Sequence, residues 1–285
     1  MNSNKPVVGL VGLGAMGGAK ARHLIAAGFT VVGYDINPQA VERFRSLGGE
    51  AAPTLAALAA RSDVIIVIIV DDAQVRSVCT DAGGIFANAR PGTITAIMSS
   101  VTPDLCVDLA AIGAQRAQQV VDAPSVRGEA AAIAGKLLVM IGGEIAAVER
   151  CLPVLRAFAS DTVHLGAVGA GQVGKMVNNM ILWAAVLSNH EGFKFAQTMG
   201  INVAALRETL KLSAADSWVL RTWDTIVKQE HWWDQKDLAS MLETGRTHQA
   251  GLPLAASLKT LMEPLRPQVA RTLFTDRSPV SGQEH

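Results

Sequence analysis

The sequence predicts a parallel α/β domain over residues 1–168 followed by an all-helical domain over residues 169–285. Three observations carry this. Short β-branched runs alternate with helical stretches through the first half, a glycine-rich turn joins the first run to the first helix, and strand signal almost ceases after Gly171. The runs fall at residues 7–11, 30–34, 64–70, 93–98, 120–123, 137–141 and 162–165, and the helices at residues 15–27, 38–47, 103–117 and 144–158. A β-then-α rhythm of this kind belongs to a parallel sheet covered on both faces. Residues 64–70 are apolar throughout, as a central strand requires.

In the second half, Ala167-Val168-Gly169-Ala170-Gly171 is the natural joint, and the helix after it, residues 172–199, reads as long and mostly buried. Trp218, Trp223, Trp232 and Trp233 crowd the remainder. They fill core or a subunit interface, or one or two of them wall a substrate pocket. Residues 275–285 are polar and read as a frayed tail.

Composition excludes several functions. Lys plus Arg count 25 and Asp plus Glu count 25, so no basic excess offers itself to a phosphate backbone, and no nucleic-acid partner is expected. The chain is 49% hydrophobic, yet its longest uninterrupted apolar run, residues 180–187, is far shorter than the ~18 residues of a membrane span. Cys79, Cys106 and Cys151 show no CxxC spacing and are odd in number, and no apolar leader precedes residue 7, so a reducing cytoplasm is expected. The six histidines show neither HxxxH nor HxH spacing, and no GxSxG is present, so neither a metal nor a serine nucleophile is expected.

Gly12, Leu13, Gly14, Ala15, Met16 and Gly17 form a GxGxxG between the first strand and the first helix. There the glycines permit a tight turn and close backbone approach, while the helix N-terminus faces a diphosphate. The second strand ends in Asp35, 18 residues after Gly17, where a carboxylate can accept from the ribose hydroxyls of a dinucleotide. The plain alternative is a strand-to-helix turn with a solvated aspartate. No arginine or lysine lies in Ile36-Asn37-Pro38-Gln39 to meet a 2′-phosphate, so NAD is expected over NADP. Farther on, Lys175 and Asn179 are four apart on one helix face. Periodicity alone leaves Lys175 equally readable as a first-turn lysine reaching solvent.

The turn at 12–17, Asp122-Ala123-Pro124 followed by Ala132 and Gly135, residues 169–179 and Lys236-Asp237-Leu238 together resemble the β-hydroxyacid dehydrogenases, the 3-hydroxyisobutyrate dehydrogenase-like family related to 6-phosphogluconate dehydrogenase. The resemblance spans the chain to about Leu265. It implies a Rossmann-type N-terminal domain, a helical C-terminal domain and an active site in the cleft between them. The implied reaction is NAD(P)-dependent interconversion of a small β-hydroxy acid and its semialdehyde or keto form. The family pattern makes Lys175 the general acid/base and has Asn179 hold the reacting oxygen. It also puts Lys236 at the cofactor or substrate end of the cleft and Ser99 and Ser100 near the nicotinamide, Ser100 standing where Thr is more usual.

Two segments depart from the family pattern. Val70-Asp71-Asp72 occupies a cofactor-side turn where relatives often have Leu-Pro. Relatives commonly read Asp-Ala-Pro-Val-Ser-Gly-Gly, whereas this chain reads Asp122-Ala123-Pro124-Ser125-Val126-Arg127-Gly128. Val126 therefore replaces the serine of the substrate loop. Arg127 could fork onto a substrate carboxylate or sulfonate, as in the branch acting on sulfonated three-carbon aldehydes, or be a solvated loop residue. A small anionic hydroxy acid or semialdehyde is the expected substrate. Competing readings are an imine reductase, whose members usually lack a lysine at the position of Lys175, and a non-catalytic dinucleotide-binding module. The apolar pattern of the helical half exceeds what so small a domain encloses, so a homodimer or homotetramer is expected.

Overall fold

The computed structural model describes residues 5–226 and 234–265. The tail at 275–285, with Trp232 and Trp233, lies outside the described residues. Strands β1 (Val8–Val11), β2 (Val31–Tyr34) and β3 (Glu50–Ala51) alternate with helices α1 (Ala15–Ala26), α2 (Pro38–Ser46) and α3 (Leu55–Arg61). Then come β4 (Val64–Val67), α4 (Asp72–Thr80), α5 (Ile85–Asn88), β5 (Ile94–Ile97), α6 (Pro103–Ala114), β6 (Gln119–Asp122), β7 (Ser125–Val126) and α7 (Gly128–Ile133). β8 (Leu137–Gly142), α8 (Ile145–Leu155) and β9 (Ala159–Gly166) complete the sheet.

Strand order is β3-β2-β1-β4-β5-β6-β8-β7, with β9 beside β8. Pairing is parallel from β3 to β6 and antiparallel where β8 meets β6 and β7. Val8 stands opposite Val31 on one side and Val64 on the other. The chain runs outward through β2 and β3, then returns to the far side of β1 as β4, so the order reverses between β1 and β4. In open parallel sheets that reversal opens a crevice beyond the strand C-termini, where ligands bind.

The central strands β1, β2, β4 and β5 are apolar because both faces are covered, whereas β3 and β9 are largely exposed. Leu24, Phe44, Leu155 and Phe158 pack one face, and Leu58, Val75, Phe86 and Leu109 the other. The sequence reading carries the apolar run on to residue 70, but β4 ends at Val67. Past that point the Ile69 N–H donates to the Ser99 hydroxyl at 2.8 Å instead of to a neighbouring strand, and Val70 is exposed. Helices α3, α5 and α7 are too short to show a long periodicity, yet α3 is capped by a side chain, as is α4. Thr54 accepts from the Ala57 N–H and Asp71 from the Gln74 N–H.

Packing divides the chain into two compact units, Met1–Lys175 and Met176–His285, so the division falls inside helix α9 (Ala170–Thr198), whereas the sequence reading places the joint at 168/169. The second unit continues with α10 (Val203–Leu210), α11 (Trp218–Arg221), α12 (Trp223–Ile226), α13 (Asp234–Thr247), α14 (Pro253–Met262) and a 3-10 turn at Glu263–Leu265. Trp223 fills its core, meeting the Phe193 ring edge-on at 5.1 Å between centroids, while Trp218 is half exposed. The expectation of a mostly buried α9 is corrected. Val173, Val177 and Ile181 are 47%, 42% and 58% exposed, because their four-residue spacing puts them on a face that the single chain leaves open. Among the described residues, no helix is long and apolar enough to cross a membrane.

Candidate active site

The turn between β1 and α1 tolerates only glycine at two places. Gly12 has φ +96°, and a Cβ there would lie 2.1 Å from the Ile68 carbonyl oxygen. A Cβ on Gly17 would lie 2.0 Å from the Gly12 carbonyl oxygen. Gly14 differs, since its φ is −62° and nothing lies within 4 Å of a Cβ added to it. It is the exposed N-cap of α1, and no side chain caps the helix. The first-turn N–H groups and the positive end of the helix dipole therefore face open space, an arrangement that fits an anion.

Asp35 sits at the end of β2, where its Oδ2 accepts from the Leu13 N–H at 2.7 Å and its Oδ1 from the Asn37 N–H at 2.8 Å. Each oxygen keeps a lone pair, so the carboxylate is held beside the turn and can still accept from a diol. Val8–Val11, the glycine turn and Asp35 thus fit the adenosine diphosphate half of a dinucleotide. When bound, such a cofactor supplies a hydride acceptor or donor at its nicotinamide.

A second cluster lies where α9 begins. Asp122, fully buried at the end of β6, accepts from the Gly169 N–H at 2.6 Å and the Gln172 N–H at 2.8 Å. Burial pushes its carboxyl above the ordinary value, while these and other backbone N–H groups pull it back. Gln172 in turn donates to the Ser99 carbonyl at 2.8 Å and accepts from the Val101 N–H at 3.4 Å. Asp72 holds the other end of that loop, accepting from the Thr102 N–H at 3.0 Å and its hydroxyl at 2.6 Å. Ser99 and Ser100 are therefore fixed on a loop tied at both sides. Sequence reasoning named Asp72 and Asp122 only as parts of their segments and missed the tethering role of the first and the capping role of the second, although an acid ending a buried strand in Asp-Ala-Pro is a readable signal.

Lys175 and Asn179 both lie on α9, half-buried and one turn apart. The Asn179 Nδ2 donates to Asp237 Oδ2 on α13 at 2.8 Å, and the Trp183 Nε1 donates to the same oxygen at 3.3 Å. Asn178 donates to Asn179 Oδ1 at 2.9 Å. The asparagine amide is thus oriented, with its second Nδ2–H able to reach an oxygen. Lys236, half-buried, precedes Asp237 on α13. The anchoring role of Asp237 was legible only as part of the Lys236-Asp237-Leu238 motif.

Val126 is buried in β7 opposite Leu138, and Gly128, with φ +76°, opens α7. The Arg127 Nη1 donates to Asp161 Oδ2 at 2.6 Å, to the Ser160 hydroxyl at 3.0 Å and to the Lys136 carbonyl at 3.1 Å. Arg127 is thus paired with Asp161 on the half-exposed edge of the sheet, and the pair ties the loop to β9. The three cysteines are free and buried, and desolvation pushes the Cys79 and Cys151 thiols up to about 12. Among the described residues, no group of three or more His, Cys, Asp or Glu could hold a metal ion.

The family model for the NAD-binding domain of 6-phosphogluconate dehydrogenase matches residues 7–177, and that for the NAD-binding of NADP-dependent 3-hydroxyisobutyrate dehydrogenase matches residues 169–273. The chain is 29% identical to the 2-(hydroxymethyl)glutarate dehydrogenase of Eubacterium barkeri, over 90% of this chain and 88% of that one. It is 30% identical to the L-threonate dehydrogenase of Cupriavidus necator, over 88% and 87%. Among solved structures, the 3-hydroxyisobutyrate dehydrogenase of Mycobacterium tuberculosis with L-serine superposes with a TM-score of 0.83 at 24% identity, covering 94% of each chain, and so shares the fold.

Proposed function

The chain belongs to the β-hydroxyacid dehydrogenases and is an NAD(P)-dependent dehydrogenase, and from that premise we propose that it interconverts a small β-hydroxy acid and its semialdehyde or keto form, with Lys175 as general acid/base. The observation that supports this reading is that Lys175 lies one turn before Asn179 on α9, and that the Asn179 amide is anchored by Asp237 at 2.8 Å. In oxidation, Lys175 Nζ takes the proton of the substrate hydroxyl as hydride departs from the carbinol carbon. The free Nδ2–H of Asn179 donates to the same oxygen and keeps it in line with the amine. In reduction, the Lys175 ammonium returns the proton to the carbonyl oxygen. The family resemblance gives Lys236 a cofactor or substrate contact, and Ser99 and Ser100 a nicotinamide contact.

NAD is preferred over NADP, since a 2′-phosphate would meet the Asp35 carboxylate without a cation nearby. The protein works in the cytoplasm, a reading supported by three unpaired, buried thiols. It works as a homodimer or homotetramer in which a second copy covers Val173, Val177 and Ile181. Light scattering of the wild type and of Ile181→Glu tests the assembly: an oligomer and a dissociated variant are expected, and a monomeric wild type at micromolar concentration overturns it.

Lys175→Ala tests the chemistry. It lowers kcat by about 10²- to 10⁴-fold, the size of a general acid–base contribution, and leaves the dinucleotide Kd unchanged. Near-normal turnover in that variant removes Lys175 from the mechanism.

A further inference from the structure

Helix α1 turns Gly17, Lys20, Ala21 and Leu24 to the core, the i, i+3, i+4, i+7 stripe of a packed helix. Lys20 therefore occupies a position where an apolar side chain is the rule, and it is 0% exposed. Long helical side chains lean toward the N-terminus, so its amine returns to the first turn. Nζ lies 3.5 Å from the Met16 carbonyl oxygen, inside the glycine turn, and 5.7 Å from the centre of the Phe158 ring. A carbonyl at that distance is a weak acceptor, and a ring face only partly replaces lost water.

The ionisable side chains around it give no counter-charge. On α1 itself, Arg22 is exposed and His23 is bonded to the Ala132 and Ile133 carbonyls. The charged side chains of α2, α7 and α8 are all exposed, and Tyr34 ends β2. Burial first, and then repulsion from Lys175, bring the Lys20 pKa down to about 7.

We propose that Lys20 is a proton-linked cation of the dinucleotide site, one that takes up a proton from solvent when the cofactor's diphosphate anion settles on the first turn of α1. The proposal rests on reading residues 12–17 as the diphosphate turn. An anion placed there favours the ammonium form of a dry amine one helical turn below it. A proton passes from buffer to Nζ, and no bond in the dinucleotide changes. By linkage, dinucleotide affinity rises as pH falls toward neutrality, about tenfold for each unit by which the bound anion raises the Lys20 pKa.

Titration calorimetry with NADH, without substrate, at about one pH unit above the free Lys20 value and in two buffers of different ionisation enthalpy, reads the uptake directly. The expected result is uptake of up to about one proton per subunit in the wild type and near zero in Lys20→Met, which keeps the length and loses the charge. Lys20→Arg, permanently charged, binds NADH with a Kd that does not vary between about pH 6.5 and 8.5. Lys175→Met retains uptake with its window moved to higher pH, because a like charge has gone. Zero uptake in the wild type overturns the proposal even if Lys20→Met fails to fold, and so does wild-type uptake persisting in Lys20→Met or lost in Lys175→Met. NADH binding without uptake leaves the turn reading intact. Gly14→Ala with unchanged NADH affinity overturns the turn reading and the proposal together.

Discussion

Helices α1 and α9 begin in much the same way, with glycines after a strand, and end up with opposite electrostatic fates. At α1 the N-cap Gly14 is exposed, no side chain caps the helix, and a Cβ on Gly14 would meet nothing within 4 Å. At α9 the Asp122 carboxylate occupies the same kind of place, taking the Gly169 and Gln172 N–H groups, and a Cβ on Gly171 would lie 2.5 Å from the Met140 carbonyl and 2.8 Å from Asp122 Oδ2. One helix start has no side chain on its positive end. The other has it satisfied by the protein and serves as a fixed base for Lys175. A glycine-rich strand-to-helix turn is therefore not in itself an anion site; whether an internal carboxylate reaches it decides.

The largest expected effect removes the internal anion. Asp122→Ala leaves two buried N–H groups without an acceptor, at about 1–3 kcal/mol each, and lowers stability by about 3 kcal/mol in urea unfolding. The pH dependence carries a sign. Because the folded carboxyl lies above its ordinary value, its contribution is full below the unfolded value and is lost as pH rises through the folded one. Asp122→Asn flattens that acid-side slope; an unchanged slope would show that another carboxyl produces it.

The mirror experiment at α1 leaves stability alone and strikes the ligand. With φ −62° and open space around it, Gly14→Ala changes unfolding free energy by less than about 0.5 kcal/mol and weakens dinucleotide binding about tenfold by blocking close approach. If stability falls while affinity holds, the two helix starts are not the contrast described. The smallest effect belongs to Asp35, which shapes the same turn through the Leu13 N–H at 2.7 Å. Asp35→Ser narrows the NAD-over-NADP ratio of kcat/KM by about fivefold, or ~1 kcal/mol for a partly exposed charge. A ratio that already favours NADP in the wild type would refute the preference.

Much of this was legible in the chain. Runs of Val and Ile bounded by turn residues mark β1, β2, β4 and β5, and the change of rhythm after Gly171 marks the helical half, because local propensity and burial agree there. The short α3, α5 and α7 were not legible, since a helix of two turns or fewer carries too little periodicity to stand out; α4, as long as α2, was missed as well. The pairing of Arg127 was hidden for a different reason. Its partner Asp161 lies 34 residues away on β9, and no local pattern announces a long-range ion pair.

By itself the sequence determined the α/β-then-helical plan, the glycine turn with its acid at Asp35, and the spacing of Lys175 and Asn179, all of which depend on residues near one another in the chain. The tertiary structure decided which charges are free. It turned Arg127 onto Asp161, set Asp122 under α9, anchored Asn179 with Asp237 and buried Lys20 beneath the glycine turn. The physical reason is that a charge acts through its distance to other charges and to water, and folding sets both.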